Sequence, residues 1–279
     1  MRVAGIVVFE PNKERLNKNI TAVISQVDVL ILYFNSKFFK ICDNYQEKVI
    51  ILGNGTNIGI ASALNNIMNY ANEKLNAEWC LLLDQDSIVS PKMIDNFEEN
   101  IHISNIGVLV PVIYDKAQNN KIIIKEGIEE CNLGITSGSY NNVQVWKKIG
   151  GFRDDFFIDY VDWEYFTRLR YTGYKIFQVN ANILDHQLGR LSYHKILGLK
   201  MQTYNHSAFR KYYITRNSFL LHYLYPKEVE FNVPFIRTIK RALIVILVED
   251  NKVDKLKSMV KGYIDYRKMR KKNDTTKYF

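Results

Sequence analysis

Between residues 3 and 113, short apolar runs alternate with longer stretches whose apolar residues recur at helical spacing, and this alternation narrows the possible folds most. "RVAGIVVF", "VDVLILYF", "KVIIL", "EWCLLL" and "IGVLVPVI" are almost unbroken in apolar residues. A strand with one wet face alternates polar and apolar side chains, whereas a strand covered on both faces does not. Between these runs lie "LNKNITAVISQ", "NIGIASALNNIMNYANEKL" and "PKMIDNFEENI". All three read as helices, the last with Ser90 as N-cap and Pro91 at its first position. Continuous apolar strands separated by helices predict an α/β fold: a Rossmann-like, mostly parallel sheet flanked by helices.

The chain's 279 residues suffice for one large domain with an appended subdomain. The second part has a different character. "AFRKYYITRNSFLLHYL", "VPFIRTIKRALIVILVED" and "KVDKLKSMVKGYIDYRKMRKK" read as helices punctuated by Pro226 and Pro234. Charge divides in the same way. Residues 1–194 carry 19 Lys and Arg against 22 Asp and Glu, and residues 195–279 carry 19 against 7. We therefore expect a catalytic or binding domain over 1–194 and a helical, basic region over 195–279. Its net charge of +12 should meet something anionic, either nucleic acid or a membrane leaflet. The amphipathic pattern favours the leaflet. The longest apolar run, "ALIVILV", falls far short of the ~20 residues that span a bilayer. Cys42, Cys80 and Cys131 form no CxxC pair and read as reduced thiols. The expectation is a cytoplasmic protein, peripheral at the inner face of the cell membrane.

The first chemically specific stretch is "LLLDQDS", where a buried strand runs out into Asp84 and Asp86. In open parallel sheets ligands bind at the carboxyl ends of the strands. Residues i and i+2 of a strand point the same way, so the two carboxylates can converge on one hard cation such as Mg²⁺ or Mn²⁺ and present it to a diphosphate. "TNIGIASALN" adds Asn57 and Gly59 at a loop-to-helix start, where free N–H groups favour anions. "ITSGS" sets Gly138 between two serines, and Asp154, Asp155, Asp159, Asp162 and Glu164 then crowd the approach to the helix "EYFTRLRYTGY". Carboxylates at a helix start also serve as caps.

Taken in order, "NIGIASALN", "LLLDQDS", "ITSGS", "WKKIGGF", "FFIDYVDWEYFTRLRYTGYKI", "ILDHQLG" and "NHSAFRKYYITRN" resemble the inverting family 2 glycosyltransferases of the GT-A fold, in particular their bacterial rhamnosyltransferase-like branch. The resemblance runs from about residue 3 to at least residue 220. It implies that Asp86, Asp84 and His186 hold Mn²⁺ or Mg²⁺. It also implies that Asp162 is the catalytic base, with Asp159 as the alternative because Val161 stands where the family often has an acid. On the donor side it implies Phe9, Glu10, Asn35, Asn57, Gly59, Asp84, Gln85, Ser137 and Gly138. Towards the acceptor or phosphate it implies Trp163, Glu164, Arg210 and Arg216.

The implied partners are a dTDP- or UDP-sugar, a glycan or lipid-linked acceptor and an anionic membrane surface, with no nucleic acid; the oligomeric state stays open. The implied reaction is metal-dependent transfer of rhamnose or another hexose to a cell-surface polysaccharide. In "LYFNSK" the family's base-reading aspartate is replaced by Phe34, which departs from the usual pyrimidine contact. The competing readings are a nucleotidyltransferase, a non-catalytic relative and a nucleic-acid-binding basic protein.

Overall fold

The computed structural model describes residues 1–40, 47–114, 127–186, 191–196, 199–228 and 232–276. Cys42 lies outside them; Cys80 and Cys131 are free thiols. The chain divides into two compact units, Met1–Phe157 with Val161–Gln187, and Ile158–Tyr160 with Leu188–Phe279.

The first unit is a nine-stranded sheet with helices. Its strands are β1 (Val3–Val8), β2 (Val29–Phe34), β3 (Val49–Leu52), β4 (Trp79–Asp84), β5 (Ile88–Val89), β6 (Ile106–Tyr114), β7 (Ile128–Cys131), β8 (Ser139–Asn142) and β9 (Lys175–Asp185). Their order is β3-β2-β1-β4-β8-β6-β9-β5, with β7 also on β9. β3, β2, β1 and β4 run parallel, as do β6 and β9. β8 lies antiparallel between β4 and β6, and β5 and β7 pair antiparallel with β9. Of the parallel strands, β1, β2, β3, β4 and β6 are the ones the apolar runs predict, and β9 was not among them. β8 was not anticipated: "SYNN" is polar, yet Ser139 and Asn141 are buried and bond each other through Asn141 Nδ2 and Ser139 Oγ at 2.8 Å. In register, Val7 faces Asp84 and Val8 faces Phe34, so β1, β2 and β4 run out at one rim.

The connecting helices are α1 (Lys13–Ile24), α2 (Ile60–Glu73), α3 (Met93–Glu98), α4 (Val143–Lys148) and α5 (Val161–Tyr171). Asn12 caps α1 by accepting from Arg15 N–H at 3.0 Å, and Leu16, Ile20 and Val23 on its inner face join the main core with Leu30, Leu32, Leu81 and Leu83. α3 starts later than expected. Ser90 is held to β9 by two bonds to the backbone of Ile183, so it cannot cap; the helix begins at Met93 after a left-handed Lys92. α5 carries Asp162 and Glu164 in its first turn and Arg168 and Arg170 in its last, which suits the helix dipole.

The second unit contains a hairpin that the sequence pattern did not reveal, β10 (Ser192–Ile196) with β11 (Leu199–Thr203), followed by α6 (Ala208–Leu224), α7 (Asn232–Val248) and α8 (Lys252–Thr276). Ser207 caps α6, accepting from Arg210 N–H at 3.3 Å. α6 and α8 approach closely: Phe219 lies 5.0 and 5.4 Å from the rings of Tyr263 and Tyr266, and a Cβ on Gly262 would stand 2.5 Å from the Tyr212 carbonyl oxygen. The buried Glu249 carboxylate accepts from Lys211 at 2.7 Å, Lys255 at 3.0 Å and Thr203 at 2.6 Å. Among the described residues no helix is long and apolar enough to cross a membrane.

Candidate metal and nucleotide-sugar site

The end of β4 turns sharply at Asp84-Gln85-Asp86-Ser87, closed by Ser87 N–H to the Asp84 carbonyl at 3.3 Å. Two polar residues of α1 hold this turn. Asn19 Nδ2 donates to the Asp84 carbonyl at 2.7 Å, and Arg15 Nε donates to the Asp86 carbonyl at 2.6 Å. Arg15 also reaches the Asp185 carboxylate at 3.1 Å, which ties the turn to the end of β9 and so to His186. From the other side Asp84 N–H donates to Ser137 Oγ at 2.9 Å; Ser137 and Ser87 hydroxyls lie 2.7 Å apart, and Ser87 Oγ lies 2.7 Å from His186 Nδ1. Ser137, expected on the donor side, is a buried link in this chain of hydrogen bonds. Gly138 packs between Pro111 and Leu184 and donates its N–H to the Leu82 carbonyl at 2.7 Å.

One ligand atom from each of Asp84, Asp86 and His186 lies within 4.8 Å of the others. Ions of the Mg²⁺ class hold oxygens at about 2.1 Å, so ligands across one ion stand roughly 4.2 Å apart. Two carboxylates and an imidazole therefore fit a single divalent ion after a small adjustment. The electrostatics agree. Burial raises the pKa of Asp84, Asp86 raises it further, and His186 draws it down. A carboxylate so placed favours a proton or a cation.

The expected donor-side residues form a lattice at the same rim. Gln85 clasps β1, its Oε1 accepting from Phe9 N–H at 2.7 Å and its Nε2 donating to the Phe9 carbonyl at 3.0 Å. Glu10, at a positive φ of 45°, donates its N–H to Ser36 Oγ at 2.9 Å. Asn35 is buried at the end of β2, where it accepts from Ile58 N–H at 2.8 Å and donates to Asn57 Oδ1 at 3.2 Å. Gly59 enters α2 at φ 88°, and a Cβ there would lie 2.6 Å from the Phe157 ring, so only glycine fits. Phe34 is fully buried against Phe38 and Phe39, at 5.0 and 5.2 Å, so a core aromatic occupies the place of the family's aspartate.

The acids between 154 and 164 divide into separate roles. Asp154 accepts from Ser62 and Asn65 at 2.8 and 2.9 Å, and Asp155 pairs with Arg153 at 2.7 Å. In the second unit, Asp159 is bound by the Arg210 guanidinium through both oxygens. Asp159 and Tyr160 have φ of 62° and 65°, and Asn217 holds this short stretch through the carbonyls of Ile158 and Asp159 at 2.9 and 2.8 Å. Asp162, in the first turn of α5, accepts from Trp163 N–H at 2.9 Å, and Trp163 is exposed. Glu164, expected on the acceptor side, is buried and paired. Its side chain is 0 % exposed and bound by Arg168 at 2.9 Å, while Arg168 also caps the carbonyls of Ile149 and Gly151. Arg216 is buried in the second unit over the rings of Tyr212 and Tyr213, its Nε bonded to Asn217 at 2.9 Å.

Sequence reasoning missed Arg15, Asn19 and Ser87. A signal existed for Asn19, a polar residue inside the apolar stripe Leu16, Ile20 and Val23.

A Rossmann-like sheet with paired carboxylates and a histidine at its carboxyl rim is the arrangement expected of a GT-A glycosyltransferase, and comparison with known proteins agrees. Residues 6–165 match the model of Glycosyl transferase family 2, and the chain belongs to that family. It is 27% identical over 287 residues to the dTDP-rhamnosyl transferase RfbF of Shigella flexneri, covering 94% of each chain. Its fold is similar to S. aureus TarS 1-349 in complex with UDP, with a TM-score of 0.57, 10% identity and coverage of 93% of this chain and 70% of the other. It is also similar to GalNAc-T7 with UDP, GalNAc and Mn²⁺, with a TM-score of 0.58, 12% identity and coverage of 77% of this chain. Here it spans 47% of the neighbour's length.

Proposed function

We propose that this enzyme transfers a deoxyhexose, rhamnose first among the candidates, from a dTDP-sugar to a glycan or lipid-linked acceptor at the cytoplasmic face of the membrane, with inversion at the anomeric carbon. The observation that carries the reading is the convergence of Asp84, Asp86 and His186 at the rim formed by β1, β2 and β4. The near-full-length similarity to a dTDP-rhamnosyl transferase supports the choice of donor.

Asp84, Asp86 and His186 would hold a divalent ion, Mn²⁺ or Mg²⁺. Once bound, that ion would neutralise the charge of the departing nucleoside diphosphate. Arg15, Asn19 and the two serines keep the ligand turn in one geometry, so little reorganisation remains for the moment of reaction. The lattice of Phe9, Gln85, Asn35 and Asn57 shapes the donor's cradle. Asp162 is assigned as general base, since Asp159 has both oxygens engaged by Arg210. A carboxylate there takes the acceptor hydroxyl's proton as that oxygen attacks, and one displacement inverts the configuration. No covalent enzyme intermediate is required.

The test is a melting-temperature screen of dTDP, UDP, GDP and their sugars, each with Mn²⁺, Mg²⁺ or EDTA, since a ligand of the folded state stabilises it by mass action. We expect dTDP with Mn²⁺ to raise the melting temperature most and EDTA to remove the rise. Stabilisation by dTDP that EDTA leaves intact would overturn the metal assignment, and stabilisation by GDP alone would overturn the donor.

A further inference from the structure

We infer that α7 is an interfacial helix that lies in the surface of an anionic lipid bilayer. Six of its apolar residues, Phe235, Ile236, Ile239, Leu243, Ile246 and Leu247, are each 47 to 57 % exposed. At 100° per residue they occupy one stripe of about 120°, which is the apolar face of an amphipathic helix turned outward. Lys240 borders that stripe, with Arg237 beyond it, and both are exposed. The side of α7 centred on the buried Val245 faces its own unit, so the stripe is a second apolar face, exposed among the described residues.

Charge identifies the occupant. The exposed face of α8 intersperses Val253, Val260 and Ile264 with Lys257, Lys261 and Lys268. Residues 195–279 carry a net +12. A second copy of this chain meeting the stripe about a two-fold axis would set that charge against itself. An anionic leaflet offers the complementary arrangement, with hydrocarbon beneath the stripe and phosphates around the lysines. No described helix is long and apolar enough to span, so the helix would lie along the surface. This inference stands apart from the donor-site reading, because binding is measured whether or not transfer is detected.

The test is sedimentation of the full chain with vesicles of phosphatidylcholine, alone or with about one-third phosphatidylglycerol, at low and high salt. We expect co-sedimentation with the anionic vesicles only, weakened by salt. Ile239→Ser with Leu243→Ser should reduce it at least tenfold at an unchanged melting temperature. Leu243→Trp gives a readout that does not depend on a disruptive variant: its emission, after subtraction of the parent chain's three tryptophans, should shift to the blue with anionic vesicles and not with neutral ones. Equal sedimentation of the double variant, or no blue shift, would overturn the inference. So would equal affinity for an oligonucleotide, or a dimer in solution that the double variant dissolves.

Discussion

The two compact units treat buried charge in opposite ways. In the first, Asp84 and Asp86 converge on each other and on an imidazole, and Asp84 is pushed up by its own burial and by its neighbour. In the second, Glu249 is met by two ammonium groups and a hydroxyl, which together outweigh its burial and hold its pKa down. Lys211 is drawn down as well, its burial outweighing the attraction of Glu249. The same residue types thus make a cluster that an incoming cation would stabilise and a knot that has no such need.

The largest effect should come from breaking the first arrangement. Asp86→Asn and Asp162→Asn should each lower transfer by about 10²–10⁴-fold, the range for losing a charge-stabilising or proton-accepting group. Asp86→Asn should leave the melting temperature equal or higher, since it removes the like charge beside Asp84. A steep loss of stability in that variant would make Asp86 structural and dissolve the contrast. The knot should respond in reverse. Glu249→Ala strands two buried ammonium groups and should cost about 3–5 kcal/mol, read by denaturant unfolding, while the folded fraction keeps its donor affinity.

Smaller changes sharpen the comparison. Ser87→Ala removes the hydroxyl that holds His186 and should weaken Mn²⁺ binding about 10–100-fold by calorimetry, as loss of an outer partner does. Tighter binding would instead make Nδ1 the ligand and Ser87 its competitor. In the second unit, burial first and Arg210 next depress His206 from 6.5 to about 4. An unfolded histidine then takes up its proton before the folded one, so stability is lost as pH falls from 6.5 towards 4. Melting temperatures of His206→Asn should fall less over that window than those of the parent chain.

How far the sequence could be read follows from what each element shows of itself. β1, β2, β4 and β6 declare themselves by apolar runs, and Asp84 and Asp86 by ending one of them. His186 joined the aspartates only through the order of motifs, and the assignment of Asp162 rests on that order too, because neither stands in a pattern that geometry alone would single out. β8 was hidden, since two of its three buried residues are polar, Ser139 and Asn141, bonded to each other and to the Thr136 carbonyl just before the strand. Ser90 has a cap's chemistry but is tied to Ile183, a pairing 93 positions away. The burial of Glu164 was also hidden. Two acids in one helical turn look alike until Arg168 is seen to seal one of them. What local pattern dictates was legible; what depends on a distant partner was not.

The smallest expected effect separates holding from touching within the site itself. Gln85 spends its amide on both polar groups of Phe9, closing the rim between β4 and β1. If that clasp is its role, Gln85→Ala loses two hydrogen bonds at a partly wet position, each worth about 0.5–1.5 kcal/mol net. The melting temperature should then fall by a few degrees, and donor KM should rise several-fold with it, because Phe9 loosens in the cradle. Gln85→Glu turns a donor into a charged oxygen against the Phe9 carbonyl and sets a third carboxylate between Asp84 and Asp86, so without a bound cation its melting temperature should fall at least as far as that of the alanine variant. A rise in KM with no change in melting temperature would mean that Gln85 contacts the donor directly. The rim would then be another place where a polar group is kept for a ligand and not for the fold.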